Sequence, residues 1–114
     1  MDVEIAFTGV PVTELEAGRG FFERLFGRPA DVLVADDEVM WRVSESAWLY
    51  VVVDPGRAGN ALAALSVADL DATLSELGGR GLSPHTVVDV GDSGRKATLL
   101  DPDGNSVALI QVAG

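Results

Sequence analysis

Apolar and polar residues alternate in a way that divides this chain into two halves with one order of elements. In the first half, a β-prone apolar run ends at Pro11, and Leu15, Phe22 and Leu25 then recur at near-helical spacing. Three more β-prone runs follow, separated by short polar turns. The predicted elements of the first half are a strand at 3–10, a helix over 13–27, and strands at 30–34, 38–43 and 47–53.

The same order begins again after a linker at 54–60 that contains Pro55, Gly56 and Gly59. Leu70, Leu74 and Leu77 lie on one face of the second predicted helix. The elements predicted for the second half are a strand at 61–67, a helix over 69–79, and strands at 85–90, 95–100 and 106–112. Between the last two strands, Asp101-Pro102-Asp103-Gly104-Asn105 is typical of a hairpin turn.

The two halves align with each other around the start of each helix. Val12-Thr13-Glu14-Leu15-Glu16-Ala17 matches Val67-Ala68-Asp69-Leu70-Asp71-Ala72. In the first segment, Thr13 and Glu16 have the spacing of a capping box. Such repetition predicts a single α+β domain over 1–114, made of two tandem βαβββ modules at 3–53 and 61–112. We expect a curved mixed sheet around a cavity, with the helices on the outer face.

Composition and charge limit the classes of function. The 114 residues are 47% apolar and carry a net charge of −10, which disfavours nucleic-acid binding and attracts cationic small molecules. No apolar run is long enough to span a membrane, and no basic segment precedes an apolar one at the N-terminus. The chain has no Cys, so no disulfide or thiolate metal site is expected. These features predict a cytoplasmic protein.

Several short motifs carry a resemblance to a known family. They are Val12-x-Glu14-Leu15, Phe21-Phe22-x-x-Leu25-Phe26-Gly27, Val67-x-Asp69-Leu70-x-Ala72, Gly81, and the Asp101–Asn105 turn. With these motifs the chain resembles the vicinal oxygen chelate superfamily, which includes glyoxalase I, extradiol dioxygenases and bleomycin-resistance proteins. The resemblance implies paired βαβββ modules, and a homodimer whose cavities lie between modules.

Enzymes of that superfamily hold a divalent metal at four inward-facing positions, and the resemblance places Phe7, Tyr50, Leu62 and Ala108 there. Phe, Leu and Ala have no lone pairs to donate, and neutral Tyr is a poor ligand for Zn, Ni or Fe(II). His85 is the one histidine of the chain, so a site that needs two histidines is excluded. We therefore expect no metal and no other cofactor.

If those positions face a cavity, their neighbours at period two face it as well. Trp48 and Tyr50 then share one surface, and Trp41 is expected to join them from the third strand. Aromatic walls suit flat or cationic ligands; the alternative is that the rings fill the core or a dimer interface. The predicted ligand-binding residues are Phe7, Trp41, Trp48, Tyr50, Leu62, His85, Arg95 and Ala108.

Three functions follow from this pattern. The first is a metal-independent binding protein that sequesters or carries an aromatic or cationic compound, as bleomycin-resistance proteins do. The second is a metal-free lyase, isomerase or cyclase that uses Tyr50, His85 or Arg95 for proton transfer. The third is a metal-dependent glyoxalase- or dioxygenase-like enzyme with ligands such as Glu38, His85 and Asp101. Neither a nucleic acid nor a membrane is expected as a partner.

Overall fold

A computed structural model describes residues 1–89 and 91–112 of the chain. Val90, the last residue of the predicted sixth strand, lies outside this part. The elements of the first half are β1 (Ala6–Val12), α1 (Leu15–Phe26), β2 (Val32–Ala35), β3 (Glu38–Ser44) and β4 (Ala47–Val53). Those of the second half are β5 (Leu62–Ser66), α2 (Leu70–Gly79), β6 (Thr86–Asp89), β7 (Gly94–Leu100) and β8 (Ser106–Val112), with a 3₁₀ turn at Gly91–Ser93 before β7.

Each half forms its own four-stranded mixed sheet, in the orders β1-β4-β3-β2 and β5-β8-β7-β6. Within the first sheet, β1 runs parallel to β4 and places Gly9 opposite Tyr50. The corresponding parallel pair in the second sheet places Ala64 opposite Ala108. The remaining pairs are antiparallel. The predicted α+β fold of two βαβββ modules is confirmed.

One face of each sheet packs against the helices, and the two halves share a single core. Phe22 and Leu25 of α1 and Leu70 and Leu77 of α2 belong to the same cluster. Burying a side chain of this size stabilises the fold by about 1.5–3 kcal/mol. From the strands, the cluster includes Val10, Val39, Leu49, Val51, Ala97, Leu99, Val107 and Leu109.

Helix termini follow the predicted signals with one exception. Gly27 ends α1 in the left-handed conformation, with φ of 73°, and the side chain of Asp69 caps α2 by accepting from the backbone N of Ala72 at 3.0 Å. The predicted capping box at α1 is wrong, because the N-cap residue is Glu14 and it makes no side-chain cap bond. Thr13 instead donates to Asp103 of the second module through its hydroxyl, at 2.8 Å.

The Asp101–Asn105 turn therefore connects the modules as well as the last two strands. Within it, Asp101 Oδ1 accepts from the backbone N of Asp103 and of Asn105. Asn105 is fully buried, and its Nδ2 donates to Asp101 Oδ2 and to the carbonyl of Pro11, both at 2.8 Å. Its Oδ1 accepts from the backbone N of Ala61 at 2.9 Å. One side chain thus ties the start of β5 to the end of β1.

The face of each sheet turned away from the helices, here called its open face, carries exposed apolar side chains. Phe7 is 55% exposed and Leu62 is 87% exposed. The described chain has an accessible surface of 6615 Å², whereas a folded monomer of this mass is expected to have about 5,900 Å². The exposure of Phe7 and Leu62 shows that packing against the helices leaves apolar area on the open faces uncovered.

No helix in the described parts of the chain is long and apolar enough to cross a membrane.

Candidate functional site

The open face of the first sheet brings together three of the predicted aromatic residues. Phe7 on β1 lies opposite Trp48 on β4, and Tyr50 follows two residues later on the same face. Leu49 and Val51, which alternate with them, are fully buried on the helix-facing side. The predicted division of β4 into two faces is therefore confirmed.

Trp41 lies on the other face, so the expectation that it joins these rings is wrong. It sits opposite Leu49 in the antiparallel β3–β4 pair and is fully buried. Its ring centroid lies 6.0 Å from that of Phe22 and 5.7 Å from that of Phe26. Its Nε1 donates to the carbonyl of Arg28 at 3.0 Å. The alternation of apolar Val39, Trp41 and Val43 with more polar neighbours along β3 was the available signal.

On the second sheet, the open face carries mostly small and aliphatic residues, together with the exposed Lys96 of β7. Ala108 on β8 is half-buried and lies between Ala64 on β5 and Thr98 on β7. Leu62, which pairs with Ser106 at the end of the β5–β8 pair, is almost fully solvated. This face contributes apolar area and the hydroxyls of Thr98 and Ser106. Its charged residue on β7, Lys96, pairs with Ile110, two residues beyond Ala108.

Arg95 and His85 belong to the second module and not to the sheet that carries the three aromatic rings. Arg95 pairs across the sheet with Gln111, and its Nη1 forms an ion pair of 2.9 Å with Asp71 of α2. Its side chain therefore lies on the helix side of β7, and its expected position on the cavity wall is wrong. His85 is exposed just before the edge strand β6, where its backbone N donates to Thr98 at 2.7 Å. Within one chain, neither side chain converges on Tyr50.

A recess of about 310 Å³ opens beside Tyr50, where the first sheet meets the linker. The Asp54–Arg57 ion pair, at 3.5 Å, lies at its border, and the Arg57 side chain is 83% exposed. The lining residues are Gly9, Pro11, Tyr50, Val52, Asp54, Arg57, Asn60 and Ala61. The linker residues of this recess are not among the predicted ligand-binding residues. The available signal was that the linker follows β4 directly and so borders the end of the open face.

Tyr50 lies across β1 over Gly9. A Cβ built on Gly9 would stand only 2.5 Å from both Cζ and Oη of Tyr50. The phenol end of the ring therefore occupies the space that a side chain at residue 9 would fill. Tyr50 is half-buried, and the side-chain hydrogen bonds formed nearby among the described residues, those of Asn105 to Pro11 and Ala61, do not use its hydroxyl.

A second cleft of about 510 Å³ lies between the modules, beside the ends of both helices. Leu25 and Phe26 of α1 line one side, and Leu77 of α2 and Arg80, which follows the end of that helix, line the other. Arg80 is already engaged, because it donates to the carbonyls of Arg24 and Leu25 and pairs with Glu76 at 3.0 Å. Its guanidinium closes the end of α1 and fixes the helices to each other.

The donor set at the four superfamily metal positions does not fit a divalent ion. Among Phe7, Tyr50, Leu62 and Ala108, the tyrosine alone carries an oxygen, and an O/N shell of three or more ligands cannot be formed from it. No group of three or more His, Cys, Asp or Glu side chains able to hold a metal occurs in residues 1–89 and 91–112. Glu38, His85 and Asp101 are accordingly not brought together.

Comparison with solved structures gives close matches over nearly the whole chain. A glyoxalase/bleomycin resistance protein from Catenulispora acidiphila DSM 44928 is 35% identical, with a TM-score of 0.88 over 93% of this chain and 96% of that one. TnmS3, an antibiotic binding protein from Streptomyces sp. CB03234, is 24% identical, with a TM-score of 0.72 over 96% and 95%. A bleomycin-binding protein complexed with bleomycin is 22% identical, with a TM-score of 0.73 over 97% and 98%. At these lower identities the last two show the fold alone.

Neither protein-family models nor curated proteins give a match. The identity and coverage of the Catenulispora protein are nevertheless sufficient to assign the family. The chain belongs to the glyoxalase/bleomycin resistance proteins of the vicinal oxygen chelate superfamily.

Proposed function

We propose that this protein binds a small aromatic or cationic compound without a metal, and sequesters or carries it in the cytoplasm. The observation that carries the proposal is the aromatic open face of the first sheet, with Phe7 opposite Trp48 and Tyr50 on the same side. Rings of this kind contact flat ligands and cations favourably. Phe7 and Tyr50 themselves stand at two of the four superfamily metal positions, and the four side chains at these positions do not fit a metal shell.

Charge and relatives support the same function. The net charge of −10 raises the local concentration of cationic solutes. Two proteins of the same fold are described as an antibiotic binding protein and as a bleomycin-binding protein. The metal-free enzyme alternative has less support, because the fold of one chain does not bring Tyr50, His85 and Arg95 together.

We propose further that the protein is a homodimer that covers its open faces. An isolated chain exposes Phe7, Leu62 and Leu100 on these faces. Burial of such residues against a second copy stabilises the dimer by about 25 cal/mol for each Å² of apolar surface removed from water. In this arrangement the aromatic face of one copy and the Leu62–Ala108 face of the other form the walls of a shared cavity.

Tryptophan fluorescence tests the binding function. Trp48 is half-buried on the open face and Trp41 is buried in the core, so a ligand at the proposed site quenches Trp48 selectively. Bleomycin and a panel of aromatic cations are titrated against the wild type and against Trp48→Phe. Saturable quenching that Trp48→Phe abolishes supports the proposal. The absence of any saturable response or calorimetric heat across the panel would contradict it.

A further inference from the structure

We propose that Gly9 is a positioning residue, which holds the ring of Tyr50 across β1 so that the ring walls the recess and offers its hydroxyl to the ligand. That the recess binds a ligand rests on the proposed function. That Gly9 positions the Tyr50 ring follows from the geometry of the unliganded chain alone.

Lack of space, and not backbone conformation, requires glycine at residue 9. The described glycines with positive φ do not include Gly9, so an L-residue is conformationally allowed there. Glycine is disfavoured in a strand interior because it loses the most backbone freedom on folding. A Cβ at this position, however, would approach Tyr50 Cζ and Oη to 2.5 Å and Cε2 to 2.9 Å. Any other residue therefore displaces the tyrosine ring.

Strand register directs the ring toward the recess. Gly9 and Tyr50 are opposite one another in the parallel β1–β4 pair, and both lie on the open face. Since β1 is the edge strand of the first sheet, a ring that leans over Gly9 leans toward the linker and Ala61, which line the recess together with Pro11. An upright ring would leave this side of the recess open.

The chemistry of the recess defines a class of ligand. The exposed side of the ring favours a planar or cationic group, and the hydroxyl can donate or accept one hydrogen bond. The rim carries the Asp54 carboxylate together with the Arg57 guanidinium, which pair at 3.5 Å, so their charges offset each other. The ring and its hydroxyl therefore set the class of ligand: a planar or cationic group with a polar substituent within reach of the phenol oxygen.

A ligand-free experiment tests the positioning. Tyr50 is the only tyrosine, so ring-labelled protein gives one tyrosine spin system in NMR spectra. We expect nuclear Overhauser contacts between its ring protons and the Gly9 Hα protons, and their loss in Gly9→Ala. Gly20→Ala on α1 is the matched control, because a Cβ there meets nothing within 4 Å. Absence of the contacts in the wild type overturns the positioning.

A double-mutant cycle separates positioning from a merely structural role. Gly9→Ala, Tyr50→Ala and the double variant are compared for unfolding free energy and for affinity for bleomycin. If Gly9 acts through Tyr50, Gly9→Ala weakens binding about tenfold in the wild-type background and has no further effect once the ring is gone. Tyr50→Phe keeps the ring and tests the hydroxyl alone. Additive effects across the cycle overturn the inference even where Gly9→Ala folds poorly.

The outcomes distinguish this inference from the proposed function. Wild-type binding that Gly9→Ala and Tyr50→Ala leave unchanged rejects the role of the recess but preserves the binding function elsewhere on the open faces. If the nuclear Overhauser contacts and the coupling in unfolding free energy are observed but no probe binds, the positioning of Tyr50 by Gly9 is confirmed. Both the ligand role of the recess and the proposed function are then rejected.

Discussion

The side-chain amide of Asn105 donates a 2.8 Å hydrogen bond to the backbone carbonyl of Pro11, which joins the second module to the end of the first strand. The same amide group also bonds Asp101 and the backbone N of Ala61. A single buried residue thus satisfies three polar groups from three segments. In the described chain, no buried side-chain polar atom lacks a partner.

Asn105→Ala is predicted to destabilise the fold by about 2–4 kcal/mol, because Asp101 Oδ2, the Pro11 carbonyl and the Ala61 N–H each lose a partner in a buried setting. Urea unfolding monitored by circular dichroism measures the change. Asn60→Ala is the control: Asn60 is exposed and donates one bond to the Arg57 carbonyl at 3.2 Å, so a loss below about 0.5 kcal/mol is expected. Equal losses in both variants would contradict the role of Asn105.

Asp103→Ala is predicted to cost about 1 kcal/mol, since it removes both bonds from Thr13 to the Asp103 carboxylate at an exposed site. Glu16→Ala is predicted to change stability by less than about 0.5 kcal/mol, because Glu16 is exposed and α1 has no side-chain cap. The same unfolding assay compares the two. A larger stability loss in Glu16→Ala than in Asp103→Ala would indicate that the capping box does form. It would also contradict a stabilising role for the Thr13–Asp103 bonds between the modules.

Alanine substitution of the two tryptophans is predicted to affect different properties: stability for Trp41 and the ligand response for Trp48. Trp41→Ala removes a fully buried ring that contacts Phe22 and Phe26, and it should destabilise the protein by about 3–5 kcal/mol. Trp48→Ala changes the open face and should cost much less stability while reducing ligand quenching. Emission from Trp48→Phe, which retains Trp41 alone, should be shifted to shorter wavelength than that of the wild type. Comparable stability losses from both alanine variants would contradict the assigned faces.

The sequence predicts features that depend on neighbouring residues better than features that depend on contacts between residues far apart in the chain. Repetition of the modules, the bounds of β4 and β8, and the positions of Trp48 and Tyr50 follow from local periodicity, and the structure agrees. Thr13 carries a local capping signal, yet its hydroxyl bonds to Asp103 in the other module. A partner ninety residues away leaves no trace in the residues around Thr13.

Side-chain direction was harder to predict where an error of one residue in strand register changes the face. Arg95 is the second residue of β7, and its pairing with Gln111 places it toward α2 and Asp71. The recess depends on still longer-range geometry. Its linker residues carry no periodic signal, and the absence of a side chain at Gly9 acquires meaning only when Tyr50 lies above it.

The oligomeric state is predicted to depend on the open faces. Sedimentation of the wild type should give a dimer, and Leu62→Glu should give a monomer, because a buried unpaired carboxylate costs several kcal/mol. Ser75→Glu, on the exposed side of α2, adds the same charge away from those faces and should leave the dimer intact. A monomeric wild type, or a dimeric Leu62→Glu, would show that the open faces do not form the interface.

A single substitution that places a carboxylate at one of the superfamily metal positions is predicted not to create a metal site. Ala108→Glu restores a carboxylate at one superfamily position, but Phe7 and Leu62 still offer no lone pair and Tyr50 only a neutral phenol. One carboxylate with a phenol leaves the shell incomplete, so calorimetric titration with Zn²⁺ or Ni²⁺ should detect no tight site in either the wild type or Ala108→Glu. Chelator treatment should likewise leave thermal stability and bleomycin affinity of the wild type unchanged. Tight, stoichiometric binding in Ala108→Glu would mean that other donors reach this position and that its surroundings differ from those described.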